Sequence, residues 1–299
     1  MVMTRIFVGL SILFTYLLMV MGNVVTTTGS GLACPDWPLC YGTVVPPLNI
    51  NIWFEWGHRL LGGTTGALIL VSTIMIWMKT RGPARWLSVS ALGLIGVGAV
   101  FGGVIVLIEA PTLQGLLHLG VISFHIMLST VIFTLMILTF RKLKGTESSP
   151  GDGIYLLFLA VVFLQVFVGI FVRYGQATLA CPDFPLCQGS LIPQLTNFKT
   201  TIHFTHRVIA LIIFLITGAY LVQAIRLGRD VLSAAVTFGL VVAQGTFGAL
   251  VVLSGMFLPF IISHGAVGFL LLGWIVYRSA PALFRGGTEI VGGVTAYNV

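Results

Sequence analysis

Six histidines stand in this chain of 299 residues, and four of them are evenly matched in spacing. His58 and His206 lie 206 − 58 = 148 residues apart, and His118 and His264 lie 264 − 118 = 146 apart. Neutral imidazole is the commonest metal ligand among side chains. Beside His58, in "EWGHR" (55–59), stands Glu55. Residues three apart share a helix face. The matching segment is "HFTHR" (203–207), with His203 where the first copy has Glu55. The pattern is two similar imidazole sites, one of which carries a carboxylate able to stabilise positive charge or move protons. Two cysteine-bounded stretches accompany them, "LACPDWPLC" (32–40) and "LACPDFPLC" (179–187), with Cys34 and Cys181 separated by 181 − 34 = 147 residues.

These residues need elements to hold them, and composition says which. The chain is 57% hydrophobic and only 8% charged, whereas a soluble domain carries roughly 25% charge. Apolar runs near 4–25, 54–78, 86–108, 116–140, 154–172, 200–225, 231–253 and 258–280 are long enough to cross a hydrocarbon core of ~30 Å. Lipid offers the backbone no water, so spanning segments are helices or closed barrels. These runs lack the two-residue alternation of a barrel, and the expectation is eight transmembrane helices. The first run has no small-residue cleavage site before the polar sequence and reads as a retained span, not a signal peptide.

The net charge of +7 does not indicate nucleic acid. Arg5, Lys79, Arg81, Arg85, Arg141, Lys142, Lys144, Arg226, Arg229, Arg278 and Arg285 fall at the N-terminus, in alternate loops and after the last helix. The other loops and adjoining helix ends carry only Arg59, Arg173, Lys199 and Arg207. This positive-inside bias predicts a multi-pass cell-membrane protein with both termini cytoplasmic and both cysteine loops on the outer face.

The matched spacings extend to whole segments: "FGGVIVL" (101–107) corresponds to "FGALVVL" (247–253). The sequence therefore reads as an all-α membrane protein of two four-helix halves, 1–140 and 154–299, joined by a cytoplasmic linker at 141–153. Four is an even number of spans, so the halves are parallel repeats about an axis along the membrane normal.

In that frame the four matched histidines lie in the first turns of helices entered from outside, at similar depth. Each half contributes one from its second helix and one from its fourth. Two imidazoles on facing helices can bind one haem iron from both sides; interhelical hydrogen bonding is the other use of a membrane histidine. His125 has no repeat partner, since Leu271 occupies its place, yet it shares a face with His118 seven residues earlier. His203 shares a face with His206 and reads as pocket support. Arg59 and Arg207 are candidates for haem propionate contacts or for lipid phosphate. The cysteines read as a disulfide within each outward loop, with free thiols in a proline-stiffened loop or a four-cysteine zinc site as the other readings. The abundant glycines read as helix packing.

Eight helices in two halves, "EWGHR", paired C-x5-C loops and a histidine pair in each half together resemble the heme A synthase family, over essentially the whole chain. That resemblance implies a membrane oxidoreductase of cytochrome oxidase cofactor biosynthesis. It implies oxidation of the C8 methyl of haem O to the formyl of haem A by successive hydroxylations and loss of water. It implies Glu55, His58 and His118 at the substrate haem, His206 and His264 on a resident haem b, and Cys34 and Cys40 as the redox-relevant pair. Expected partners are haem O, membrane lipid, haem O synthase and an electron acceptor such as quinone. The residues alone also suit a diheme cytochrome b-type electron carrier, which needs no Glu55, or, less well, a haem transporter working around a midplane site.

Overall fold

A computed structural model describes residues 1–108, 116–145 and 153–284. Residues 146–152 of the expected linker and Arg285 lie outside the described residues, as does the side chain of His118. All regular structure among the described residues is helical: α1 (Val2–Thr27), α2 (Ile50–Lys79), α3 (Pro83–Ile108), α4 (Leu116–Lys144), α5 (Ile154–Tyr174), α6 (Phe198–Leu227), α7 (Val231–Leu253) and α8 (Leu258–Leu283). All eight are long and apolar enough to cross a membrane, and the chain is a multi-pass membrane protein.

The helix ends have local causes. Asn49 caps α2 by accepting from Asn51 N (3.0 Å), and Asn197 caps α6 by accepting from Thr200 N (2.9 Å); Asn is among the best residues for this task. Both helices thus begin earlier than their apolar runs, and Glu55 is carried past the first turn of α2. Gly228 ends α6 in the left-handed conformation (φ +61°), which a residue with a Cβ adopts at a cost. Hydroxyls inside the apolar helices bond back one turn, as in Thr15 to Ser11 O (2.7 Å) and Thr217 to Ile213 O (2.7 Å), and so are satisfied without water.

Packing neighbours form two closed rings, α1–α2–α3–α4 and α5–α6–α7–α8, joined where α8 packs on α1 and α4 and where α4 meets α5. Small and polar residues make the close approaches. Ser11 and Ser72 hydroxyls meet at 3.1 Å between α1 and α2. A Cβ on Gly273 of α8 would lie 2.9 Å from the Phe133 ring of α4, so that crossing depends on the missing side chain. One apolar core runs through Val8, Ile69, Ile132 and Met136, and another through Phe158, Val162, Leu272 and Ile275.

Both cysteine loops lie at one end of the bundle. There, Arg173 at the end of α5 donates to Thr27 Oγ1 at the end of α1 (3.4 Å). At the opposite end Arg5 donates to Leu143 O (2.9 Å), Arg278 pairs with Asp230 (3.0 Å) and Arg141 lies over the Tyr277 ring (4.3 Å).

Candidate haem-binding sites and their loop clamps

The two cysteine loops fold alike in detail. Cys34 is bonded to Cys40 and Cys181 to Cys187, with Cα atoms 4.9 and 4.5 Å apart. Asp36 accepts from Tyr41 N (2.6 Å) and Gly42 N (2.7 Å), and Asp183 accepts from Gln188 N and Gly189 N (both 2.7 Å). Those turns place Tyr41 and Gln188 at φ +56° and +55°, a conformation that the local carboxylate bonds support. The N–H groups of Gly42 and Tyr41 hold the Asp36 carboxyl below the usual aspartate range, and those of Gly189 and Gln188 do the same for Asp183.

Each loop is clamped to the helix that follows it by an arginine. Arg59 donates to the carbonyls of Asp36 (2.5 Å), Leu39 and Cys34 (3.3 Å), and pairs with Glu55. Arg207 donates to the carbonyls of Asp183 (2.8 Å), Leu186 (2.6 Å) and Cys181 (2.8 Å), and through Nε to His203 Nε2 (3.2 Å). The structure therefore gives both arginines loop carbonyls as partners, where the sequence suggested haem propionates or lipid phosphate. Spacing gave no sign of this, because the acceptors are backbone atoms about twenty residues away.

Glu55 and His203 hold equivalent places in the two clamps. Glu55 is 3% exposed; its Oε2 accepts from Cys34 N (2.7 Å) while Oε1 faces Arg59. His203 is 4% exposed. Guanidinium only donates, so His203 Nε2 is the acceptor and its proton sits on Nδ1, which donates to Ala177 O (2.9 Å) in preference to the longer approach of Cys181 N to that nitrogen (3.4 Å). Both ring nitrogens of His203 are thereby occupied, which makes it a support for the loop. In the first half the same place is filled by a buried carboxylate one helical turn from His58.

The matched imidazoles lie deeper, against glycines of the neighbouring helices. A Cβ on Gly22 of α1 would come within 3.1 Å of His58 Cε1, and one on Gly169 of α5 within 3.1 Å of His206 Cε1. A Cβ on Gly248 of α7 would lie 3.0 Å from His264 Cε1. These glycines read as packing in the sequence; three of them make room for a histidine ring.

His206 lies within charge-interaction range of His264, so the structure brings that pair together. In the other ring, His58 lies within the same range of His125 among the described side chains. Across from His125 is Gly102 (3.9 Å from a built Cβ to Cε1), the residue matching Gly248. His125 thus faces Gly102 as His264 faces Gly248, whereas counted spacing nominates His118. The two halves differ in length between the third and fourth helix of each. Residues 109–115 separate α3 from α4, whereas only 254–257 separate α7 from α8, and α4 has nine residues before His125 where α8 has six before His264. His118 lies on α4, two turns before His125, with its side chain outside the described residues.

The residues present fit a haem. The Nδ1 atoms of His58, His125 and His206 are buried and have no hydrogen-bond partner, an expensive condition at membrane depth. A buried imidazole nitrogen without a hydrogen-bond partner is available to a metal, and bundle cofactor sites are built from such side chains on facing helices. The two sites adjoin through α1. Next to Gly22, Asn23 donates to Ile261 O (3.2 Å) of α8, and its amide lies against Gly265, the neighbour of His264.

A family model described as a cytochrome oxidase assembly protein (COX15-CtaA) matches residues 5–276. A protein named heme A synthase from Bacillus licheniformis is 29% identical over 295 residues, covering 92% of this chain and 95% of its own. Another of that name from Halalkalibacterium halodurans is 32% identical over 240 residues, 74% of this chain and 76% of its own. A third, from Alkalihalophilus pseudofirmus, is 33% identical over 214 residues, 67% and 69% of the two chains.

Proposed function

Since the chain belongs to the COX15-CtaA family of cytochrome oxidase assembly proteins, we propose that it is a membrane oxidoreductase that converts haem O to haem A. The reaction oxidises the C8 methyl of the substrate to a formyl group through successive hydroxylations and loss of water. The observation that carries the assignment of sites is the asymmetry of the two clamps: Glu55 in one, His203 in the other. A buried carboxylate one turn from an iron-binding histidine is suited to stabilise positive charge that builds at the edge of an oxidised macrocycle. We therefore assign substrate haem to the half 1–140, with Glu55 as the catalytic residue and His58 as one iron ligand.

The second ligand comes from α4. Supporting His125 are its position opposite Gly102 and its proximity to His58; supporting His118 is its spacing relative to His264. We adopt His125 and keep His118 as the variant to compare. His206 and His264, in the half 154–299, would hold a resident haem b, which supplies one-electron transfer when bound. Cys34 and Cys40 contribute through Glu55, because the Cys34 N–H orients the carboxylate. The cell membrane is the expected location, with both termini cytoplasmic and the loops on the outer face; haem O synthase and a quinone-class electron acceptor are the expected partners.

The test is pigment extraction from membranes of cells that make this protein with haem O available. Chromatography should show haem A. Membranes that contain the haem-loaded protein but only unchanged haem O would overturn the assignment in favour of a diheme electron carrier.

A further inference from the structure

With Arg59 and Arg207 committed to loop carbonyls, the acidic groups of a bound haem need another cation, and Arg173 is placed to supply it. It lies in the last turn of α5, four residues beyond Gly169, the residue that faces the His206 ring. Residues four apart share one helix face. Arg173 therefore stands one turn, about 6 Å along the axis, nearer the cysteine-loop end than the glycine against which that imidazole rests.

The hydrogen bonding of Arg173 is incomplete. Its Nη2 donates to Thr27 Oγ1 on α1 at 3.4 Å, and its guanidinium carbon lies 5.9 Å from the centre of the Tyr174 ring. Its Nε is buried and has no partner. Among the described residues no carboxylate pairs with it: Asp36 and Asp183 hold their own loop turns, and Glu55 is taken by Arg59 and Cys34 N. A cation at membrane depth is costly without a partner, and a carboxylate is the acceptor that guanidinium pairs with most strongly. Lipid phosphate is the other anion within reach of a helix end. The side chain, however, extends across to α1 and its Nε is shut away, which directs it towards a ligand inside the protein.

The first half has no cation at the matched position. Gly22 matches Gly169 (169 − 22 = 147), and at the same shift Arg173 is matched by Thr26 (173 − 26 = 147). The Thr26 hydroxyl is already used, donating to Gly22 O (2.9 Å) and accepting from Tyr174 OH (3.3 Å). We infer that Arg173 binds a propionate carboxylate of the haem held by His206 and His264, at an anion site that the other pocket lacks at the matched position. This rests on the proposed resident haem at that pair.

The experiment uses the full-length, haem-loaded protein in detergent. Arg173→Gln removes the charge and keeps an amide donor. It is expected to release the low-spin haem to excess apomyoglobin about tenfold faster, the worth of one charge-assisted hydrogen bond. It is also expected to lower the reduction midpoint of that haem, because positive charge beside a propionate favours the ferrous form. Arg173→Lys is expected to keep the midpoint near that of the parent. Thr27→Val removes the bridge to α1 and leaves the charge, so both readings should stay parental; a merely structural role for Arg173 would make this variant behave like Arg173→Gln. A further arm needs no variant: the parental protein, loaded with the dimethyl ester of haem b, whose propionates carry no charge, should hold it about tenfold less tightly than haem b. Parental release and midpoint in Arg173→Gln, or equal retention of haem and ester by the parent, would overturn the inference. Parental haem readings with a loss of bound anionic lipid would overturn it in favour of a headgroup phosphate. If His206→Ala and His264→Ala lose the low-spin spectrum while Arg173→Gln behaves as parent, only the propionate site falls; if both keep it, the resident-haem assignment falls and the inference with it.

Discussion

Replacing Glu55 by histidine separates two roles that ordinary substitutions confuse. Glu55 accepts from Cys34 N at 2.7 Å and pairs with Arg59, so it holds the loop as well as facing the site. Glu55→Gln keeps one acceptor but turns an amide N–H₂ towards Arg59. The cost is that of a charge-assisted hydrogen bond, about 1.5–3 kcal/mol, moderated because Arg59 retains the carbonyls of Asp36, Leu39 and Cys34. Glu55→Ala leaves the Cys34 N–H unpaired as well. Histidine is the solution that the other half already uses: His203 bonds Ala177 O and accepts from Arg207. Ala177 corresponds to Ser30, whose carbonyl receives Ala33 N just as Ala177 receives Ala180 N. Glu55→His is therefore expected to preserve the clamp, with loop proteolysis and disulfide mapping like the parent. It removes the carboxylate, and loss of one preorganised charged group costs about 3 kcal/mol in the transition state, roughly a hundredfold in rate. The assay is chromatography of extracted haems beside the visible spectrum of the same sample, with unreacted haem O or a partly oxidised alcohol expected. Parental haem A formation by Glu55→His would refute the electrostatic role; a loop that opens would refute the equivalence of the clamps.

Three other outcomes are expected. His125→Ala should lower substrate-haem binding and haem A yield more than His118→Ala does, with binding titration of each purified variant as the measure; the reverse order would restore the repeat-counted register. Replacing Cys34 and Cys40 by serine should lower haem A yield as well as stability, since the loop orients Glu55. The same change at Cys181 and Cys187 should act on stability alone, by roughly 2 kcal/mol on the chain-entropy model, read from thermal melts and pigment extraction. The loops should also resist mild acid. The carboxyls of Asp36 and Asp183 are held below the usual aspartate value in the folded loops. Their contribution is thus complete above about pH 4 and is lost only as pH falls through the lower, folded value. Loop proteolysis that rises already between pH 6 and 5 would contradict this.

What the sequence could disclose follows from the range of the interactions involved. Helix existence depends on apolar runs against lipid, a property of contiguous residues, and all eight runs lie in helices. The start of α2 depends on Asn49 and is legible only as a cap, so the apolar run does not disclose the depth of Glu55, which lies beyond the first turn and is buried beneath the cysteine loop. Repeat spacing is reliable where both halves have the same number of residues between landmarks, and it pairs His58 with His206 correctly because Gly22 and Gly169 face them alike. Where the two halves differ in connection length, between α3 and α4, counted spacing and the ring-facing glycines nominate different residues, His118 and His125. The partners of Arg59 and Arg207 were hidden for another reason: they are backbone carbonyls of the cysteine loops, and no spacing rule reports those.

The proposed function gives two sites on one repeated scaffold different tasks, and the differences between the halves bear on that division. The loops, the arginines and the ring-facing glycines are shared, and they set where each imidazole can stand. Three of the differences lie close to the matched histidines: Glu55 against His203, Leu18 against Gln165, and Gly98 against Gln244. At these three positions the carboxylate stands in the first half and the carboxamides in the second. A site that must admit haem O and release haem A needs charge at the reacting edge and freedom at the ligand. A site that retains its haem needs fixed ligands and no competing anion. Two of these positions test that division: Leu18→Gln with Gly98→Gln should change how tightly the first pocket retains haem, without affecting the disulfide of either loop. Measured haem retention that is unchanged in that double variant, with the helices and loops intact, would show that the division of labour lies elsewhere in the two rings.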